Sequence, residues 1–141
     1  KTLATLKDLG ITPVLFAPPP KNDMDIGRCL LNASRFGAAP TRCNFRTADI
    51  NTLSTQVYRT LRTLEREARI IWLHDAICSS QTCQAVIDET FIYRDGGHLS
   101  HEGSALLGKR MRWYETIVGK TPSAGLASGA TTTRDAAAPS P

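Results

Sequence analysis

Two short apolar runs, Ile11 to Ala17 and Arg69 to Asp75, limit the folds open to this chain more than any other feature. Each is nearly continuous rather than alternating, the pattern of a strand covered on both faces in a parallel sheet. Pro18-Pro19-Pro20 stops the first run, because proline cannot donate to a ladder. Between the runs, Thr47 to Ala68 predicts one long helix. Ile50, Leu53, Val57, Leu61 and Leu64 repeat at the spacing of a single buried face, Thr47 is placed to cap it, and Arg59, Arg62, Glu65, Arg66 and Glu67 form the wet side. Ahead of the first run, Leu3, Leu6 and Leu9 mark another helix face, which Gly10 closes. Strand, helix and strand in this order predict an α/β class with a parallel sheet. Two core strands are few for such a sheet, and Lys1 already reads as the middle of a helix. Further strands are therefore expected ahead of it.

The length suits one domain, expected over residues 1–120. From Thr121 to Pro141 the chain is Ala, Thr, Ser, Gly and Pro with almost no large apolar residue. Such a segment cannot bury enough surface to offset its ordering entropy, so 121–141 is expected to be disordered. Residues 21–46 read as a loop, rich in Asn, Asp, Gly and Pro and long for one in a compact domain. The four cysteines suggest how it stays ordered. Cys78-x4-Cys83 is wider than a zinc knuckle, and Cys29 and Cys43 do not make a second one. Two local disulfides, Cys29 with Cys43 and Cys78 with Cys83, are the expected pairing among three connectivities, and spacing alone does not select it. Disulfides would imply an oxidising compartment. The formal net charge of +4 is modest and the basic residues are scattered. They form no block and do not interleave with aromatics, so no nucleic-acid partner is expected.

The residues suited to chemistry gather near the end of the domain, in Tyr93-Arg94-Asp95-Gly96-Gly97-His98-Leu99-Ser100. A helix signal follows directly: Ser100 can cap, Glu102 sits in the first turn, and Leu107, Met111, Tyr114 and Val118 share a face, with Leu106, Trp113 and Ile117 beside it. Asp95 and His98 are thus expected in a tight loop at the mouth of a helix, with Asp95 orienting the ring and His98 acting as general base. As an isolated pair they are better explained by a turn and a cap. A metal set of Asp95, His98 and His101, with His74 or Asp75 added, is a weaker reading, and no metal or other cofactor is expected. Asp75, at the end of its run, could serve a ligand at the sheet edge, but ordering of the next loop is the favoured role. No nucleophile stands out. Ser79 and Ser80 fall between two cysteines, and Ser100 and Ser104 are too close in sequence to His98 for an ordinary triad.

Taken together, these residues resemble the C-terminal part of an SGNH hydrolase-like domain. More narrowly, they resemble the SGNH domain fused behind the membrane acyltransferase-3 domain of bacterial O-acetyltransferases. The likeness is carried by Gly10 through Pro18-Pro19-Pro20, Cys29-Leu30 with Cys43, the run ending in Asp75, the Cys78 and Cys83 pair, and Tyr93-Arg94-Asp95 with His98-Leu99-Ser100 and Gly103. It covers about residues 1 to 110. The resemblance implies a three-layer α/β/α, flavodoxin-like fold, here with its parallel sheet truncated at the N-terminal side. It implies Ser-His-Asp acyl transfer to cell-envelope carbohydrate, with His98 and Asp95 as the only matched catalytic block and the Ser upstream of this chain. It implies an acyl donor and a carbohydrate acceptor as partners, an upstream transmembrane acyltransferase domain, and a place on the periplasmic face of the inner membrane. A carbohydrate esterase using the same site, or a non-catalytic module that binds glycan or a partner, are the alternatives.

Overall fold

The computed structural model describes residues 1–119. The tail expected to be disordered, 121–141, lies outside the described residues. The parallel crossover is present. Strand β1 (Val14–Phe16) pairs in parallel with β3 (Arg69–Ile71), in the register Val14 with Arg69, Leu15 with Ile70 and Phe16 with Ile71. Helix α1 (Thr2–Asp8) precedes β1 and ends at Gly10, whose positive φ of 72° is the reason a glycine stands there. Helix α3 (Thr52–Thr63) lies between the strands. Two antiparallel pairs complete the sheets: β2 (Phe45–Arg46) with β4 (Thr82–Cys83), and the hairpin β5 (Val86–Ile87) with β6 (Thr90–Phe91). The core joins Ile26, Leu30, Phe45, Ile71, Ile77, Ile92 and Leu107.

The structure corrects several expectations about local structure. The segment read as a loop holds helix α2 (Ile26–Arg35), followed by a 3-10 turn over Pro40–Cys43. Asp25 caps α2 by accepting the Arg28 amide, and Ile26, Leu30 and Ala33 are its buried residues. Thr47 does not cap the next helix. It opens a separate 3-10 turn, and Asn51 caps α3 through the Ser54 amide. The α3 face is less covered than its spacing suggests, with Leu53 60% exposed. The second apolar run is a strand only as far as Ile71; Leu73–Ile77 is a short helix, α4. Leu73 and Ile77 are buried four residues apart, a helical spacing hidden inside a continuous apolar run. Neither parallel strand is covered on both faces. Val14 and Leu15 are half-buried and Phe16 is exposed.

The last helix is two. Helix α5 (His101–Arg110) gives way at Arg112, which has a left-handed φ of 50°, and α6 (Trp113–Val118) follows. The break turns Trp113 onto Gly108, where a Cβ would meet its ring at 2.9 Å, and edge-on to Phe16 at 4.9 Å. That contact is the gain offsetting a strained residue.

Cys29 joins Cys43 and Cys78 joins Cys83, and no cysteine is free. The first bond closes a loop spanning 14 residues and ties α2 to the 3-10 turn. A Cys29→Ser, Cys43→Ser double variant is expected to lose about 3 kcal/mol, the cost of freeing a loop of that length in the unfolded chain. Urea unfolding measures it, and a loss below about 1 kcal/mol would contradict a structural role for the bond.

Candidate active site

The site is built outward from two buried residues. Ile92 and Tyr93 follow β6 and are sealed in the core. The Tyr93 hydroxyl donates to the Pro20 carbonyl at 2.7 Å, so the segment leaving β1 is fastened to the segment entering the loop. Burial pushes the Tyr93 phenol well above its ordinary value, which keeps it a neutral donor. The chain then folds back on itself. The Arg94 amide donates to the His98 carbonyl at 2.9 Å, and the Ser100 amide donates to the Ile92 carbonyl at 2.9 Å. Ser100 caps α5 by accepting the Gly103 amide at 2.8 Å, while its own hydroxyl donates to the Phe91 carbonyl.

Inside this closure Asp95 and His98 meet. The His98 Nδ1 lies 2.9 Å from Asp95 Oδ1 and 3.0 Å from Oδ2. Asp95 Oδ1 also accepts the backbone amides of Gly97 and His98, each at 2.9 Å. The carboxylate therefore holds the loop and the ring together. Those contacts hold its pKa well below the usual carboxylate range; the Gly97 amide does most, followed by the His98 ring, the His98 amide and Arg94. An ionised carboxylate can only accept, so in the neutral ring the proton sits on Nδ1 and the free lone pair on Nε2. Among the described residues Nε2 makes no hydrogen bond, and the His98 side chain is 72% exposed.

The depressed Asp95 value has a consequence in solution. Its contribution to the loop is present above the ordinary carboxylate value and is lost only as the pH falls through its lower folded value. Carbon-13 NMR of the Asp95 carboxyl should still show the ionised form at pH 3.8, the ordinary value. Half-titration at that pH would contradict the hydrogen-bond set.

Residues 20–27 form the wall behind the loop, and nothing local in the sequence marks them for the site. A Cβ on Gly97 would meet the Lys21 side chain at 3.2 Å, and one on Gly96 would meet the Met24 carbonyl oxygen at 3.4 Å. Gly27, in the first turn of α2, lies directly against the Arg94 carbonyl. Gly96 and Gly97 lie in the tight loop that the sequence predicts. Gly27 carries no such local sign, because the contact it permits is with a segment far along the chain.

The other candidates are not brought to the pair. The His101 side chain is exposed and its nearest charged partner is Glu102, at 3.9 Å. Asp75 is exposed on α4, 3.6 Å from His74 Nδ1. Among the described residues no cluster of three or more His, Cys, Asp and Glu is placed to hold a metal ion. Ser79 is engaged in its own turn, accepting the amides of Gln81 and Thr82, and Ser100 is a cap. A cavity of about 720 Å³ is lined by Lys7, Gly10, Glu65 and Arg69, among others, and shares no residue with the His98 loop. It sits where β1 and β3 begin, whereas open parallel sheets bind ligands where their strands end.

Comparison with known proteins agrees with this architecture. No curated protein matches the chain. A solved structure, the periplasmic domain of a lipopolysaccharide acetyltransferase from Salmonella ser. Paratyphi A, has the same fold at a TM-score of 0.56 and 18% sequence identity. The likeness covers 82% of this chain and 48% of that one, so this chain spans about half the length of that domain. The small parallel sheet among helices is thus the α/β SGNH-like fold. A protein-family model described as the SGNH domain fused to AT3 domains matches residues 1–112. The chain belongs to that SGNH domain family.

Proposed function

We propose that this chain is part of the SGNH domain of a bacterial O-acyltransferase, transferring acyl groups to cell-envelope carbohydrate from the periplasmic side of the inner membrane. The observation that carries this reading is the Asp95–His98 pair, with both carboxylate oxygens within hydrogen-bond distance of Nδ1 and Nε2 left open. In this reading Nε2 takes the proton of a serine as that oxygen attacks the donor's acyl carbon, and returns it to the departing donor group as the acyl–donor bond breaks, leaving a covalent acyl-enzyme. The same nitrogen, free of its proton again, takes the proton of a sugar hydroxyl as that oxygen attacks the acyl carbon, and returns it to the serine oxygen as the acyl–serine bond breaks. Asp95 holds the ring and stabilises the imidazolium formed in each step. The nucleophile lies outside the described residues, which fits a chain matching about half of its structural relative. The family's fusion to AT3 domains supports an upstream membrane partner, and the two disulfides support an oxidising compartment.

The test is made in cells that produce the upstream-extended protein, by measuring acetyl groups on envelope carbohydrate. The reading expects acetylation that disappears with His98→Ala. Unchanged acetylation would reject it, and loss of esters already present would favour the esterase reading. The chain alone is expected to be inactive or nearly so. Ester hydrolysis by the isolated chain that is lost with His98→Ala would contradict a nucleophile lying elsewhere.

A further inference from the structure

A groove of about 500 Å³ lies beside the His98 loop. Its near end is formed by Met24 and Asp25, the backbone that abuts Gly96. Arg28 and Asn32 of α2 line one side, Arg42 of the Pro40–Cys43 turn lines the other, and Phe36 stands at the end of α2. The Cys29–Cys43 bond links the two sides covalently, so the width of the groove is fixed.

The lining selects a ligand chemistry. Arg28 and Arg42 are exposed, and among the described residues neither lies within ion-pair distance of a carboxylate. The one acid lining the groove among the described residues, Asp25, accepts the Arg28 amide at 2.9 Å as the cap of α2, and its single negative charge stands against the two guanidinium groups. Phe36 is 74% exposed, with the Arg35 guanidinium 5.7 Å from its ring centroid. A guanidinium presents a planar fork that fits the paired oxygens of a carboxylate or phosphate. An exposed ring offers a flat apolar face to the C–H side of a sugar. A purely apolar ligand would strip water from two cations without giving them partners, and a neutral sugar would leave both forks unused.

We propose that this groove binds an anionic carbohydrate, a sugar chain bearing carboxylate or phosphate groups. The acidic groups sit on Arg28 and Arg42, and a sugar ring lies against Phe36. The groove opens next to Gly96, so a chain held there is presented to the Asp95–His98 loop. Only that last step rests on the acyl-transfer reading, in which the anionic glycan is the acceptor.

The full chain is titrated with trigalacturonate, with maltotriose carrying a terminal phosphate, and with neutral maltotriose, each without an acyl donor and followed by amide NMR. At least one anionic probe should shift the amides of Arg28, Asn32, Phe36 and Arg42. It should bind about tenfold more tightly than maltotriose and weaken as salt is raised. The better of the two acids identifies the group recognised. Arg28→Ala with Arg42→Ala should weaken anion binding about tenfold or more, the loss expected when two charge-assisted hydrogen bonds are removed. Phe36→Ala should weaken both the anionic and neutral probes. All three positions are on the surface, and the variants' spectra report whether the fold is kept. The proposal is overturned if neither anion shifts these amides, if maltotriose binds as tightly, or if the arginine variant binds unchanged. Because no acyl group is present, failure of acyl transfer in cells leaves this result standing, and failure here leaves the transferase reading standing.

Discussion

His98→Ala is expected to lower acyl transfer by the complete protein by roughly 10³-fold or more, through kcat rather than KM. The ring contributes when the proton moves, and the exposed loop is not required to hold the substrate in the ground state. Asp95→Asn is expected to lower kcat by roughly 10²- to 10⁴-fold, for a different reason. An Asn oxygen can still accept the Gly97 and His98 amides, so the loop survives. What is lost is the negative charge that stabilises the imidazolium and the acceptor that keeps the proton on Nδ1. A steady-state comparison of the two variants with the parent separates loop integrity from chemistry. Equal kcat in all three would remove the pair from the mechanism.

Gly27→Ala is the second large effect, and two terms of opposite sign decide it. Alanine is better than glycine inside a helix by about 1 kcal/mol, and Gly27 is within α2, so propensity alone predicts a gain. The added Cβ, however, would overlap the Arg94 carbonyl, which is backbone and cannot swing aside. Forcing an extra carbon into such a contact costs about 1–3 kcal/mol or more, so the net is a loss. The strain also falls on the residue next to Asp95, so activity should drop further than stability explains. Urea unfolding and transfer assays on Gly27→Ala measure both, with Ser34→Ala on the exposed side of α2 expected to stay within about 0.5 kcal/mol. A stabilised Gly27→Ala protein would mean that α2 and the loop are not in close contact.

The fate of Gly27 illustrates what a sequence of this kind discloses. Asp95 and His98 were legible because their meeting is local: three residues apart, two glycines between, and a Ser cap to fix the exit. The parallel crossover was legible because a continuous apolar run stopped by prolines has few other uses. Helix α2 was hidden because its cap, Asp25, and its close-packed residue, Gly27, are also the residues that fill loops. Its buried positions, Ile26, Leu30 and Ala33, did carry a helical spacing that the polar composition outweighed. The wall behind the site could not be read at all. The Tyr93–Pro20 bond joins residues 73 apart, and nothing local to either announces the other. The break at Arg112 was equally silent, since a left-handed arginine is set by where Trp113 packs and not by its own preference.

A serine-directed fluorophosphonate tests the central claim most directly, with the labelled residue mapped by mass spectrometry. In the upstream-extended protein, label should fall on one serine outside these 141 residues and disappear with His98→Ala. Label on Ser79, Ser100 or Ser104, or labelling indifferent to His98, would contradict the assignment of the Asp95–His98 pair as the base of a site whose nucleophile comes from elsewhere.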